Sequence, residues 1–275
     1  AIWIGGSSSR GVARFDYTGK RLMVFHLNRA GQIGSGNGIG QDRDGALWFG
    51  TEQGALRYDG VGWTQVRDLN GPVSGVLTDK KGTVYLMGRD SQGPAVLKVQ
   101  GMTHQMVRKG LEGESVRTLA HTRDGVLWAG VPGGGLFLWE SGGESWVRQV
   151  PKEGMPQRIL AMGASADGSL WMPGRGRDLS RRSRGGFFQA YNIPGNRAVQ
   201  ALLACKEGSL WMAYGMGGGG VTRLTTEGET EHYTVLDGLG HDEVHALIED
   251  GEGHIWAGTS AGVARFDGQS WTALK

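Results

Sequence analysis

An aromatic residue preceded by a branched apolar one recurs at Trp3, Trp48, Tyr85, Trp128, Trp171, Trp211 and Trp256, at intervals of 45, 37, 43, 43, 40 and 45 residues. This period constrains the fold more than any other feature. A unit of that size cannot bury its apolar faces alone and must stack on its neighbours. The length is that of a four-stranded propeller blade and exceeds most helical or leucine-rich repeats. Three residues before the anchor stand Gly45, Gly82, Gly125, Gly168, Gly208 and Gly253, as a tight hairpin with positive φ demands. Immediately before it stand Ile2, Leu47, Val84, Leu127, Leu170, Leu210 and Ile255, which a stacked sheet must bury. Twelve before it stand Gly36, Val73, Val116, Ile159, Val199 and Val244, and nine before it Ile39, Val76, Leu119, Met162, Leu202 and Leu247, marking a first strand.

In the last copy these signals predict strands over 244–249, 254–258, 263–267 and 270–274. Helical periodicity is absent, and short β-branched and aromatic runs broken by glycine recur throughout. The expected fold is all-β: a seven-bladed β-propeller of four-stranded antiparallel blades, one domain over 1–275, its first blade lacking the innermost strand because the chain opens on the second. The words G-V-A-R-F-D at 11–16 and again at 262–267 suggest that the first and last blades meet and close a ring.

Composition narrows the function classes. Gly at 51 residues and Trp at 10, with 20% charged residues, describe many turns and heavy aromatic packing. Lys+Arg of 29 against Asp+Glu of 27 leaves a net charge of +2, which argues against nucleic acid as a partner. Cys205 is the one cysteine, so no internal disulfide exists; inside A-L-L-A-C with no local base it reads as core. No apolar run approaches the ~18 residues of a membrane span. With neither an initiating Met nor a signal-peptide pattern, the sequence reads as a processed or excised piece.

Three glycine runs invite a phosphate-cradle reading: Gly34, Gly36, Gly38 and Gly40; Gly133–Gly135; and Gly217–Gly220. None has the strand-to-helix context or spacing of a nucleotide loop. The first reads as a closely approached inner strand, the others as turns between second and third strands. No cofactor motif is present, and none is expected.

The units E-D-G-E-G-H-I-W-A-G-T-S-A-G-V-A-R-F-D and D-R-D-G-A-L-W-F-G-T-E-Q-G-A-L-R-Y-D resemble the two-component regulator propeller repeat. The resemblance covers essentially the whole chain, with departures at Tyr85 and at Arg181, which replaces a Phe or Tyr. It implies a non-enzymatic sensing module of a bacterial signalling protein, periplasmic or extracellular, binding a small polar or carbohydrate-like ligand. The chain is also similar, more distantly, to virginiamycin B lyase-like propellers, whose chemistry uses a His, a Glu and magnesium. The acidic position after the anchor in those repeats is here Thr51 or Thr259, which disfavours a metal-dependent lyase.

Candidate binding residues are sought where the copies disagree. Eleven before the anchor stand Asn37, Ser74, Arg117, Leu160, Gln200 and His245, a chemically varied set at the expected channel mouth. They serve either one asymmetric ligand or a solvated channel wall. In H-D-E-V-H, His241 and His245 lie too far apart along a strand to share one ion, whereas Glu243 and His245 share a face and suit a polar ligand or a bridging divalent cation; hydrogen bonding is favoured over a metal site. In R-G-R-D-L-S-R-R-S-R, Arg175 and Arg177 are candidates for an anionic ligand, while Arg181, Arg182 and Arg184 are assigned to a solvated outer strand. The ligand set is thus Asn37, Ser74, Arg117, Arg175, Arg177, Gln200, Glu243 and His245, with a protein partner on the same rim as the alternative.

Overall fold

Every alternation read from the sequence becomes an antiparallel hairpin in the computed structural model, which describes residues 2–5, 11–15, 21–26, 38–140, 142, 144–174, 178–193 and 198–274. Two compact units are present, Ala1–Thr118 with Leu138–Arg148, and Leu119–Phe137 with Gln149–Lys275.

In the first unit β1 (Ile2–Gly5), β2 (Gly11–Phe15) and β3 (Arg21–His26) form a three-stranded sheet. Two four-stranded blades follow: β4 (Ile39–Gln41), β5 (Leu47–Thr51), β6 (Gly54–Tyr58) and β7 (Trp63–Val66), then β8 (Gly75–Thr78), β9 (Val84–Asp90), β10 (Gly93–Gln100) and β11 (Thr103–Val107). A third, with residues in both units, is β12 (Thr118–His121), β13 (Leu127–Val131), β14 (Gly135–Glu140) and β15 (Ser145–Arg148). The second unit holds β16 (Gly163–Ala164), β17 (Leu170–Pro173), β18 (Asp178–Arg182) and β19 (Phe188–Asn192). Next come β20 (Val199–Ala204), β21 (Leu210–Tyr214), β22 (Val221–Leu224) and β23 (Thr230–Tyr233). The last blade is β24 (Val244–Glu249), β25 (Ile255–Thr259), β26 (Gly262–Phe266) and β27 (Trp271–Leu274).

Among the described residues the four-stranded blades number six, and the expectation of seven is corrected. Counting anchors assigns one blade to each, but a blade's inner strand comes from the segment upstream of its anchor. The sheet that holds Trp3 has three strands among the described residues, so its anchor does not count as a four-stranded blade.

Each anchor is held by the turn before it. In all six blades the residue six before the anchor accepts from the turn glycine's N–H, as in Gly45 N to Asp42 O at 3.1 Å and Gly253 N to Asp250 O at 3.4 Å. Those glycines have φ between 78° and 106°, a region that costs other residues strain. The side chain at that same position then takes the anchor's polar edge. Trp48 Nε1 donates to Asp42 at 2.9 Å, Trp128 to Thr122 at 3.3 Å, Trp171 to Ser165 at 2.8 Å and Trp256 to Asp250 at 2.8 Å. Tyr85 uses Asp79, and burial followed by that neighbouring carboxylate pushes its hydroxyl up to about 12. Where the position is Cys205, Ser209 substitutes and accepts from Trp211 at 3.2 Å.

Packing between consecutive blades follows. Within the first unit Trp48 packs with Val73, Val84, Leu86 and Leu97 of the following blade. Trp211 in the second unit does the same with Val244, Ile255, Ala257 and Phe266. The expected burial of the residue before each anchor holds from Val84 at 0% to Leu47 at 9% exposed. The first strand of a blade also lies close on the next. A Cβ on Gly38 would stand 2.4 Å from Val76 N, as expected of a closely approached inner strand; Gly34 and Gly36 lie outside the described residues.

Directly across from the anchors stands a row of cations. The register pairs Trp3 with Arg14, Trp48 with Arg57, Tyr85 with Lys98, Trp171 with Arg181, Trp211 with Arg223 and Trp256 with Arg265. Four guanidinium groups lie 5.5–5.9 Å from the ring centres, within cation–π range. This corrects the solvated-strand assignment. Arg181 covers Trp171 and donates to Asp167 and Ser169, and Arg182 lies 4.4 Å over Trp128. Arg182, paired with Leu170, and not Arg181, is the residue that replaces the Phe or Tyr.

Two outcomes follow. Arg182→Ala should cost about 1 kcal/mol through the lost ring contact, against under about 0.5 kcal/mol for exposed Arg184→Ala, read from urea midpoints. Asp250 is opposed by burial, yet the Trp256 indole and the N–H groups of Glu252 and His254 together hold its carboxyl below the usual value. Its contribution is therefore complete above the unfolded value near ~4 and is lost as pH falls through the depressed native one. Asp250→Asn should cost roughly 2 kcal/mol at neutral pH, and the gap from wild type should shrink in acid melts.

Candidate ligand-binding surface

Asn37, Arg175 and Arg177 lie outside the described residues. Ser74 and Arg117 belong to the first unit, and Gln200, Glu243 and His245 to the second. At Gln200 and His245 the position eleven before the anchor has a structural identity invisible in the sequence: it is the extra residue of a β-bulge. The β20 ladder steps from Val199–Tyr214 to Ala201–Ala213, leaving Gln200 unpaired. That of β24 steps from Val244–Thr259 to Ala246–Gly258, leaving His245. Ser74 N donates to Met87 O at 2.8 Å, while Met87 is already the register partner of Gly75. A bulge residue is released from cross-strand packing and its side chain is re-aimed, so the copies are free to differ there.

Glu243 and His245 do meet, through a residue that the sequence pattern does not single out. Ser260, in the turn between β25 and β26, donates its hydroxyl to Glu243 Oε2 at 2.9 Å and lies 2.8 Å from His245 Nε2. The second carboxylate oxygen accepts from Gly217 N at 3.1 Å, and Glu243 N donates to His241 Nδ1 at 2.9 Å. Asp242 fastens the other side, its Oδ1 accepting from Val235 N at 2.8 Å and its carbonyl from Gly219 and Gly220. Gly217–Gly220 has φ of 88°, 66°, 157° and 68°, and a Cβ on Gly220 would fall 1.9 Å from Tyr233 O. As expected, this glycine run is a turn. It presents backbone N–H groups to Asp242 and Glu243.

The Ser260 hydroxyl bond first, then the Gly217 N–H, holds the Glu243 carboxyl below its ordinary value, so it is a carboxylate at neutral pH. Ser260 is no activated nucleophile: its proton points at a carboxylate of reduced proton affinity, and with that proton committed the oxygen accepts from His245 Nε2–H. The two histidines are engaged separately, His241 with the Glu243 backbone and His245 with Ser260. Among the described residues no group of three or more His, Cys, Asp or Glu is placed to hold a metal ion. Thr51 and Thr259 close their own turns on Gly54 and Gly262.

What flanks the carboxylates is apolar and uncovered. Met216, beside Gly217, is 94% exposed, and Leu236, beside Val235, is 92% exposed. Met and Leu between the polar turns are visible in the sequence, but only the bonds from Gly217 and Val235 show that they border Asp242 and Glu243.

Against known proteins, the two-component regulator propeller repeat matches residues 238–261, the stretch that carries Asp242, Glu243, His245 and Ser260. The photosystem II assembly lipoprotein Ycf48 of Synechococcus sp. (strain RCC307) is 27% identical over 162 residues, 52% of this chain and 47% of that protein. This chain thus spans about half of that relative, and it covers 34% of the same protein from strain CC9605. Among solved structures, the extracellular domain of a hybrid two-component system of B. thetaiotaomicron superposes with TM-score 0.76 at 22% identity, over 97% of this chain and 37% of that one. Virginiamycin B lyase of Staphylococcus aureus does so with TM-score 0.76 at 17% identity, over 99% and 91%. Ycf48 bound to a D1 peptide does so with TM-score 0.62 at 17% identity, over 88% and 82%. These likenesses show the fold, an all-β propeller of four-stranded antiparallel blades. No helix among the described residues is long and apolar enough to cross a membrane.

Ser260→Ala should move the Glu243 carboxyl upward toward its ordinary value, since the lost hydroxyl bond is the largest cause of its depression. A carbon-13 NMR titration of the glutamate carboxyls reads this, and an unmoved Glu243 resonance contradicts it.

Proposed function

We infer that the chain is a non-catalytic binding propeller whose surface around Asp242, Glu243 and His245 takes an extended segment of a protein partner. One observation carries the reading: two nearly fully exposed apolar side chains, Met216 and Leu236, border a carboxylate pair that is already fixed in place. Exposed apolar anchors beside held charges are how protein interfaces are built, with the apolar contact supplying affinity and the charge orientation. The fitting segment carries an apolar residue next to Lys or Arg. That a Ycf48 propeller of the same fold was solved with a bound peptide supports the reading.

A second reading keeps a small polar or carbohydrate-like ligand, sensed outside the cytoplasm. It is favoured by the regulator-propeller match across 238–261 and the likeness to an extracellular domain. In that case Gln200, Glu243 and His245 would be contacts in the second unit, Ser74 and Arg117 are separate proposals in the first, and Asn37, Arg175 and Arg177 are proposals in their own right.

Selection from a random peptide library on the intact chain separates the two. Enriched peptides should pair an apolar residue with Lys or Arg, and Met216→Glu with Leu236→Glu should weaken them by at least about tenfold, as for loss of an interface anchor. Peptides indifferent to that pair of substitutions, or thermal stabilisation by a sugar alone, sinks the protein-partner reading.

A further inference from the structure

The turns that hold the anchors share one frame. Its first residue is an acceptor and its fourth a glycine, while its backbone bonds do not set the two between. The third side chain takes a turn hydroxyl where the first residue is not aspartate, as Asp124 does from Thr122, Asp167 from Ser169 and Glu207 from Ser209. The third residue is nevertheless acidic in five of the six turns, as Asp44, Asp124, Asp167, Glu207 and Glu252. In the turn between β8 and β9 it is Lys81, preceded by Lys80. The neighbouring turn between β4 and β5 brings Arg43 against it: a Cβ on Gly82 would stand 2.6 Å from Arg43 N. The two turns are therefore in contact and form a continuous floor.

Over that floor lies an open groove of about 690 Å³ in the first unit, lined by Gln41, Arg43, Thr78, Lys80, Lys81 and Gln100 together with Asp42 and Asp79. The two carboxylates are spent inward. Asp42 accepts from the N–H groups of Asp44 and Ala46 and from Trp48. Asp79 accepts from the N–H groups of Lys81 and Thr83 and serves Tyr85. The side chains of Arg43, Lys80 and Lys81 make no hydrogen bond or ion pair among the described residues, and all three are exposed. Lysine where the repeat otherwise places an acid is a local reversal of charge in a chain whose net charge is only +2.

We propose that this groove binds an acidic protein segment, with Arg43, Lys80 and Lys81 pairing to successive carboxylates and the Gln100 amide to the peptide backbone. The volume exceeds that of a single oxyanion. The lining contains no aromatic ring on which a sugar or a base would stack, which favours peptide carboxylates over an acidic glycan or nucleic acid. The site is independent of the surface at Glu243, shares no residue with it, and takes a partner of opposite charge.

The test uses the intact 275-residue chain and fluorescein-labelled octaglutamate, followed by anisotropy. Saturable binding should weaken about tenfold between about 50 and about 300 mM salt, as exposed charge pairs are screened. Lys81→Glu restores the acid that the other five turns carry, so it should melt like wild type and bind about tenfold more weakly. Lys152→Glu, an exposed lysine elsewhere, should bind like wild type. Absence of saturable binding, equal binding by Lys81→Glu, or tighter binding of phosphate, a sulfated oligosaccharide or single-stranded DNA overturns the proposal.

Discussion

The structure depends on satisfying one N–H. A tryptophan buried between stacked sheets supplies the apolar area that holds blade to blade, but its indole N–H goes with it into a place without water, where an unpaired donor costs as much as the hydrogen bond is worth. The chain answers with the residue six before the anchor. An aspartate does most there: Asp250 receives two turn N–H groups on one oxygen and the indole and His254 on the other. Thr122 accepts from the Trp128 indole while donating to Asp124 and the Val126 carbonyl, and Ser165 accepts from that of Trp171. At Cys205 the duty passes to Ser209, and burial first, then the charges of Glu207 and Glu249, push the thiol up to about 12, leaving it inert. One constraint thus explains the turn geometry, the positive-φ glycine and the choice of side chain together.

With its edge tied down, the anchor's face is available, and arginine takes it. Arg14, Arg57, Arg181 and Arg223 arrive from the adjacent strand at the directly opposed position, and the rings of Trp48, Trp171 and Trp211 are thereby held on both edge and face. Trp128 receives Arg182, from another sheet of the same unit. Because the cation can come from a different sheet, strand-by-strand alignment alone does not find it.

Function is sought in what this frame leaves unspecified. The bulge residues Gln200 and His245 have lost their cross-strand partners. In the anchor turns that begin with Asp42 and Asp79 the aspartate itself takes the turn's N–H groups, which leaves the two middle side chains outside those bonds. The bulge position differs from copy to copy, and the third turn residue departs from an acid once, at Lys81. The two binding surfaces draw on one class each, the carboxylate cluster at Glu243 and the cationic groove at Lys81, and their opposite charges give them different partners.

The class, the blade unit, strand limits to about one residue in the last blade, the turn glycines and the buried residue before each anchor are all legible in the residues alone. All of these rest on interactions between residues less than about a dozen apart, which a repeated pattern displays. The rest depends on which strands and turns come together in the folded chain. The number of complete blades depends on whether a fourth strand pairs, not on how many anchors are written. The place of Arg181 and Arg182 depends on register, where a shift of one residue moves a side chain to the opposite face. Ser260 joins Glu243 to His245, and Arg43 meets Lys81, because hairpins bring together residues from separate turns. Pairing across such distances leaves no periodic trace in the chain, so the scaffold was legible and its binding chemistry was not.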